Sequence, residues 1–231
     1  MKFKTRLALW LLKNKRDLYK KMKGISYLDI GTDEQFLDLH AEMIAEERGI
    51  QSLRERWNLY TFLKNTTHLE GSVAEVGVYR GGSAKILCKA KGNSPLYLFD
   101  TFEGLPPHVS GSEGVFSTGD FNDTCIEDVS TYLASFEKVH IIKGYFPEST
   151  INTPIEHERF RFAHLDVDIS ESTYSALDFF YPRMLKSGII ISHDYRSVSA
   201  PGVKKAFDQF FQNKPETVIP IWDSQCLIVK L

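Results

Sequence analysis

The chain has 231 residues and a formal net charge of −2, with 42% hydrophobic and 25% charged residues. That balance belongs to a globular protein and excludes a disordered, collagen-like or disulfide-scaffold chain. At about 150 residues per domain the length suits one large domain with additions, whose core needs no metal or disulfide to close it. Cys88, Cys125 and Cys226 form no CxxC pair, so they are expected as buried thiols in a reducing compartment.

Charge is unevenly distributed. Residues 1–23 carry nine Lys/Arg against the single acid Asp17, a charge of +8, which leaves −10 for the remainder. An acidic body argues against nucleic acid as a partner, because such binding neutralises many phosphates. Within the arm the apolar run Leu7 to Leu12 is too short to span a bilayer or to serve as a signal segment, which points to a cytoplasmic protein. Phe3, Leu7, Leu11, Leu18 and Met22 fall at roughly helical spacing. The arm is expected to be a helix packing one face on the body or on a second subunit. Peripheral contact with the inner face of an anionic membrane is the alternative.

Asp33 is placed to cap a helix running through Ala45, and a second helical pattern spans Gln51 to Asn65. Residues 1–70 thus form a helical extension in which Arg54, Arg56 and Tyr60 are candidates for the wall of a substrate site. From residue 71 the texture changes to short apolar strands: Val73–Val76, Leu96–Phe99, Val139–Ile142, Phe162–Leu165 and Gly188–Ser192. Between and after them lie helical patterns at Ser83–Lys91, Ile126–Ser135, Ser172–Tyr181 and Pro201–Phe211. This alternation predicts an α/β fold, a parallel Rossmann-like sheet with helices on both faces. Thr217–Ile221 and Gln225–Lys230 are expected as an antiparallel edge hairpin. The Gly- and Ser-rich segment Pro106 to Asp123 is expected to be a mobile loop.

Ligands of such sheets bind beyond the carboxyl ends of the strands. The first strand runs into Glu75-Val-Gly77-Val-Tyr79-Arg80-Gly81-Gly82-Ser83, where glycines permit a sharp turn and close approach. The spacing is not GxGxxG, which disfavours a nicotinamide-dependent oxidoreductase. The second strand ends in Asp100-Thr101-Phe102, and an acid there suits a ribose diol. The fourth ends in Asp166-Val167-Asp168 and the fifth in His193-Asp194. Neighbouring strands would bring these polar groups to one rim, where a divalent cation relieves carboxylate repulsion.

Together these segments resemble the macrocin O-methyltransferase family of class I S-adenosylmethionine-dependent methyltransferases. The resemblance is carried by Val76 to Ser83, Leu98-Phe-Asp-Thr-Phe-Glu-Gly-Leu-Pro106, Leu165 to Asp168 with Glu171 to Thr173, Tyr181-Pro182 and Gly188 to Tyr195. It implies a seven-stranded sheet in residues 71–231, bound S-adenosylmethionine, and Mg²⁺-assisted methylation of a sugar hydroxyl on a small molecule or glycan. Transferred position by position, Glu75, Gly77, Tyr79, Gly81 and Ser83 would hold the methionine end, and Asp100 with Thr101 and Phe102 the ribose. Gly144 and Phe146 would lie near the adenine. Asp166 and Asp194 match metal ligands and Asp168 the general base. Two positions depart from the family. Ser170 replaces an aromatic, and His193-Asp194 replaces Asp-Asp. Imidazole suits Mn, Fe, Ni or Zn better than Mg, so either the ion differs, or fewer protein groups hold it, or His193 is a catalytic base that replaces the ion, as in a metal-independent methyltransferase of a non-sugar hydroxyl. A homo-oligomer is expected.

Overall fold

The computed structural model describes residues 3–106 and 114–231. Seven strands, β1 (Ser72–Val76), β2 (Leu96–Asp100), β3 (Val139–Lys143), β4 (Phe160–Leu165), β5 (Met184–Ser192), β6 (Ile219–Pro220) and β7 (Cys226–Val229), form one sheet. Its order is β3-β2-β1-β4-β5-β7-β6. The first five strands are parallel and β7 runs antiparallel between β5 and β6. The expected edge hairpin is present. Its first strand is reduced to two residues, since Pro220 has no N–H to extend the ladder.

Central strands of a doubly covered sheet must be apolar on both faces. Ile189 and Ile191 of β5 point into one core and Ile190 into the other, as do Phe162 and Ala163 of β4. The first core is roofed by the amino-terminal helices with α6 (Gly82–Ala90) and α7 (Ile126–Leu133). The second is roofed by α8 (Ser170–Phe180) and α9 (Pro201–Phe211), whose Phe180 and Phe207 are fully buried.

The expected α4 (Glu34–Glu46) and α5 (Leu53–Asn65) form as their caps dictate. Asp33 accepts from the Phe36 N–H at 2.8 Å. Ser52 and Glu55 make a reciprocal capping box. A one-turn helix, α3 (Asp29–Thr32), precedes α4. The arm is two helices, α1 (Phe3–Asn14) and α2 (Arg16–Lys23), and α2 ends on Gly24 in the left-handed region. It packs on the body as expected, but Leu11 is the one residue of the spaced set that takes part. Leu11, Leu12 and Tyr19 are buried, whereas Phe3, Leu7, Leu18 and Met22 stay exposed. Cys125 also departs from expectation: it is exposed at the start of α7, while Cys88 and Cys226 are buried. Part of the proposed loop between Pro106 and Asp123 lies outside the described residues.

β1→β2→β3 builds the sheet in one direction and β4→β5 in the other. The reversal between β1 and β4 opens a crevice at their carboxyl ends, the place where such sheets bind ligands.

Candidate active site

A cavity of about 350 Å³ fills that crevice. Its floor is the β1–α6 turn. A Cβ on Gly77 would meet the Asp166 carbonyl oxygen at 1.8 Å, so only glycine lets the two strand ends close together. Gly77, Tyr79 and Ser83 line the cavity, with Asp100 and Thr101 from β2, Gly144 and Phe146 after β3, and Asp166, Asp168, His193 and Asp194 opposite.

Three sequence-derived candidates do not line it. Glu75 is fully buried beside its cross-strand neighbour His164, whose Nδ1 lies 2.7 Å from Glu75 Oε1. Burial raises the Glu75 pKa against the pull of that imidazole. Gly81 faces Val129 and Tyr132 of α7, and Phe102 is packed in the first core. The substrate-wall candidates move as well. Arg56 and Tyr60 are buried, and Arg54 lies over the Trp222 ring. The helical extension instead contributes the turn before α5: Arg48, Gly49, Ile50 and Gln51 line the cavity. Gly82 makes this possible, because a Cβ there would meet the Arg48 carbonyl oxygen at 2.8 Å.

Asp100 does more than the sequence foretold. One carboxylate oxygen accepts from the Val78 and Tyr79 amides at 2.7 and 2.8 Å, and the other from the Phe102 amide at 2.7 Å. Charge-assisted bonds of this kind are strong. They pin the glycine turn to the end of β2 and leave one oxygen with accepting capacity towards the cavity.

The opposite rim is a knot of ionisable groups. His193 Nδ1 is 2.9 Å from Asp194 Oδ2 and 3.2 Å from Asp166 Oδ1, while its Nε2 is 3.3 Å from Glu55 Oε1. Burial works against a charge on His193, but the three carboxylates override it and hold its pKa well above the usual imidazole value. Burial also opposes ionisation of Asp166, and the His193 charge wins, lowering its pKa. For Asp168 burial and the Asp166 and Asp194 charges act together, and its pKa is raised well above the carboxylate range. Asp168 and Asp194 have φ of 61° and 60°, and Tyr79 and Phe121 on the lining share this left-handed backbone. Such conformations cost energy and gather at functional sites.

Sequence reasoning missed two residues on this rim. Gln51 Nε2 donates to Asp166 Oδ2 at 3.1 Å, and its Oε1 is buried without a partner among the described residues. Glu55, lowered in pKa by His193 in spite of its burial, is held by the Ser224 hydroxyl at 2.6 Å. The Ser-x-x-Glu capping box was the available signal. It fixes one carboxylate oxygen on the Ser52 N–H and leaves the other free to reach the sheet.

Residues 39–226 match the macrocin-O-methyltransferase (TylF) family. The chain belongs to that family. It is 29% identical over 140 residues to 8-demethyl-8-(2,3-dimethoxy-alpha-L-rhamnosyl)-tetracenomycin-C 4'-O-methyltransferase of Streptomyces olivaceus, covering 54% of this chain and 53% of that protein. It is 23% identical over 160 residues to demethyldecarbamoylnovobiocin O-methyltransferase of Streptomyces niveus, covering 62% and 59%. The chain therefore spans little more than half the length of these relatives. Its fold is that of the O-methyltransferase NovP, with a TM-score of 0.70 at 19% identity over 79% of this chain and 82% of that one. The family expectation and the seven-stranded class I sheet are both borne out.

Proposed function

We propose that this family member is an S-adenosylmethionine-dependent O-methyltransferase acting on a sugar hydroxyl. The observation that carries the proposal is the meeting of Asp166, Asp168, His193 and Asp194 across one cavity from the Asp100-pinned glycine turn. The tetracenomycin relative, by its name, methylates an oxygen of a rhamnosyl-bearing compound, which supports the acceptor class.

The residues present fit both absent groups. For the cofactor, Gly77 gives close backbone approach, Asp100 keeps an oxygen for a diol, and Tyr145 and Phe146 offer an apolar wall. Bound there, S-adenosylmethionine supplies an activated methyl group on its sulfonium. For a metal, Asp166, His193 and Asp194 each offer a ligand atom within 4.8 Å of the others. One imidazole among carboxylates favours an ion such as Mn²⁺ over Mg²⁺. The chemistry such an ion supplies is a lowered pKa for a hydroxyl oxygen.

The protein's own residues then do three things. Asp168, on the rim beside Asp166 and Asp194, would take the proton from the acceptor hydroxyl once ionised, a state that a positive charge bound in the cavity favours against its carboxylate neighbours. Gln51 and Glu55 hold Asp166 and His193 in place. The crevice would position the acceptor hydroxyl beside the bound cofactor, and such positioning is worth about 7–11 kcal/mol when alignment is good.

A second reading keeps the transferase and dispenses with the ion. His193 touches three carboxylates, as a fixed imidazolium would, and it would then be the charged group beside the acceptor. Calorimetric titration of S-adenosylmethionine with Mn²⁺, with Mg²⁺ and with a chelator, followed by turnover under the same conditions, separates the readings. Turnover that needs Mn²⁺ supports the first, and chelator-insensitive turnover supports the second. Absence of cofactor binding in every condition removes both.

A further inference from the structure

The first 38 residues lie outside the family match, and their surface is unlike the rest of the molecule. Among the described residues, seven of the seventeen exposed large apolar side chains fall within residues 3–28. On α1, Phe3, Leu7 and Trp10 follow one another at helical spacing and are 80%, 42% and 52% exposed. At 3.6 residues per turn they share one stripe, half a turn away from the buried Leu12. Arg6 and Lys13 border the stripe on one side and Lys4 on the other, all three exposed, and none pairs with an acid among the described residues.

The arm's inner side is already occupied. Arg16 donates to Glu34 and Asp38, at 2.5 and 2.6 Å, and Lys20 pairs with Glu34 at 2.7 Å. The Tyr19 hydroxyl lies 3.0 Å from His40 Nε2. These contacts clamp α2 onto α4 and hold the α1 stripe facing outward. The uncovered cations are therefore in surplus, not a remnant of packing.

We propose that this stripe docks the protein on an anionic lipid bilayer, lying in the interface without crossing it. Aromatic and leucine side chains between flanking lysines and arginines are what an interfacial helix needs. Among the described residues no helix is long and apolar enough to cross a membrane. Charge argues against the competing occupant. Symmetric pairing of two copies through the stripe would bring Lys4, Arg6 and Lys13 of each copy together, and asymmetric docking onto the acidic body would propagate without closing unless it formed a ring. The proposal stands apart from methyl transfer, and its test does not depend on turnover.

The test is co-sedimentation of the full chain with phosphatidylcholine vesicles, and with vesicles containing about a quarter phosphatidylglycerol, at low and high salt. Binding is expected only to the anionic vesicles, weakening as salt rises. Each neutralised cation should weaken it about five-fold, so Lys4→Gln, Arg6→Gln and Lys13→Gln together should cost about 100-fold. These exposed, unpaired side chains can change without unfolding the chain, which an unaltered melting temperature verifies. Leu7→Ser with Trp10→Ser should abolish binding independently. Equal binding to both vesicle types, or none to either, overturns the proposal. So does a dimer without lipid that dissociates in the Leu7→Ser/Trp10→Ser variant, which would make the stripe an interface between copies.

Discussion

Glu55 Oε1 stands 3.3 Å from His193 Nε2, joining the helical extension to the carboxyl end of β5. The Glu55 carboxylate is divided between two tasks. One oxygen caps α5 through the Ser52 N–H at 2.8 Å, and the other faces the imidazole and the Ser224 hydroxyl. The site is thus assembled from three distant parts of the chain, and the helices before β1 belong to it.

Glu55→Gln separates those tasks, because the amide oxygen can still cap the helix while the negative charge is lost. The cap should survive, while loss of the buried charge beside His193 should lower stability by about 3 kcal/mol. The proposed cofactor site lies across the cavity, so S-adenosylmethionine affinity should stay within about three-fold, while kcat falls by about ten-fold or more as His193 loses its outer carboxylate. Calorimetry and steady-state kinetics on one preparation check both. A fall in affinity equal to the fall in kcat would mean that Glu55 supports the whole fold of the site.

Asp168→Asn removes the proposed proton acceptor and keeps the shape. Turnover should drop by at least about 100-fold, with cofactor binding nearly intact, since Asp168 lines the rim with Asp166, Asp194 and His193, opposite Asp100. Single-turnover methyl transfer and cofactor titration read the two effects separately. Retention of turnover would show that another group takes the proton.

The sheet was legible because its strands are short apolar runs ending in glycine or acid, and central parallel strands have little freedom to be anything else. Asp166, Asp168, His193 and Asp194 were legible for the same reason, since strand ends converge by topology. The arm was misjudged residue by residue. Helical spacing grouped Leu11 with Phe3, Leu7, Leu18 and Met22, yet the four-residue steps along α1 drift round the helix until Leu11 reaches the buried side near Leu12, and the break at Lys15 puts Leu18 and Met22 on a second helix, where they stay exposed. Glu75 was misplaced because position beside a glycine turn says nothing of which face of the strand a side chain takes, and its partner His164 is known only from the β1–β4 register. Gln51 was hidden because no local pattern connects a helix-entry turn to the end of β4.

Gly77→Ala is the sharpest test of the crevice. Gly77 has φ 86°, and an added Cβ would meet backbone, not a flexible side chain, at 1.8 Å. The variant should lose about 3 kcal/mol or more of stability, or else survive with β1 and β4 parted and cofactor affinity reduced at least ten-fold. Urea unfolding and calorimetry decide which. An alanine variant with normal stability and normal affinity would contradict the close approach of these strand ends.

Buried histidine makes the junction between arm and body sensitive to acid. Arg56 can only donate, so its 3.2 Å contact makes His40 Nδ1 the acceptor and leaves the ring proton on Nε2, facing Tyr19. Burial, reinforced by the Arg56 charge, lowers the His40 pKa from 6.5 to about 3. The unfolded chain takes up this proton near pH 6.5 and the folded chain only near pH 3, so protons favour unfolding throughout that window. The contribution is complete above pH 6.5 and declines as pH falls, by about 2 kcal/mol at pH 5. Urea unfolding at pH 7 and pH 5 should show this loss. The His40→Asn variant, whose side-chain oxygen can still accept from Arg56, should lack that part of it. Equal pH dependence in the two proteins would place the acid sensitivity elsewhere.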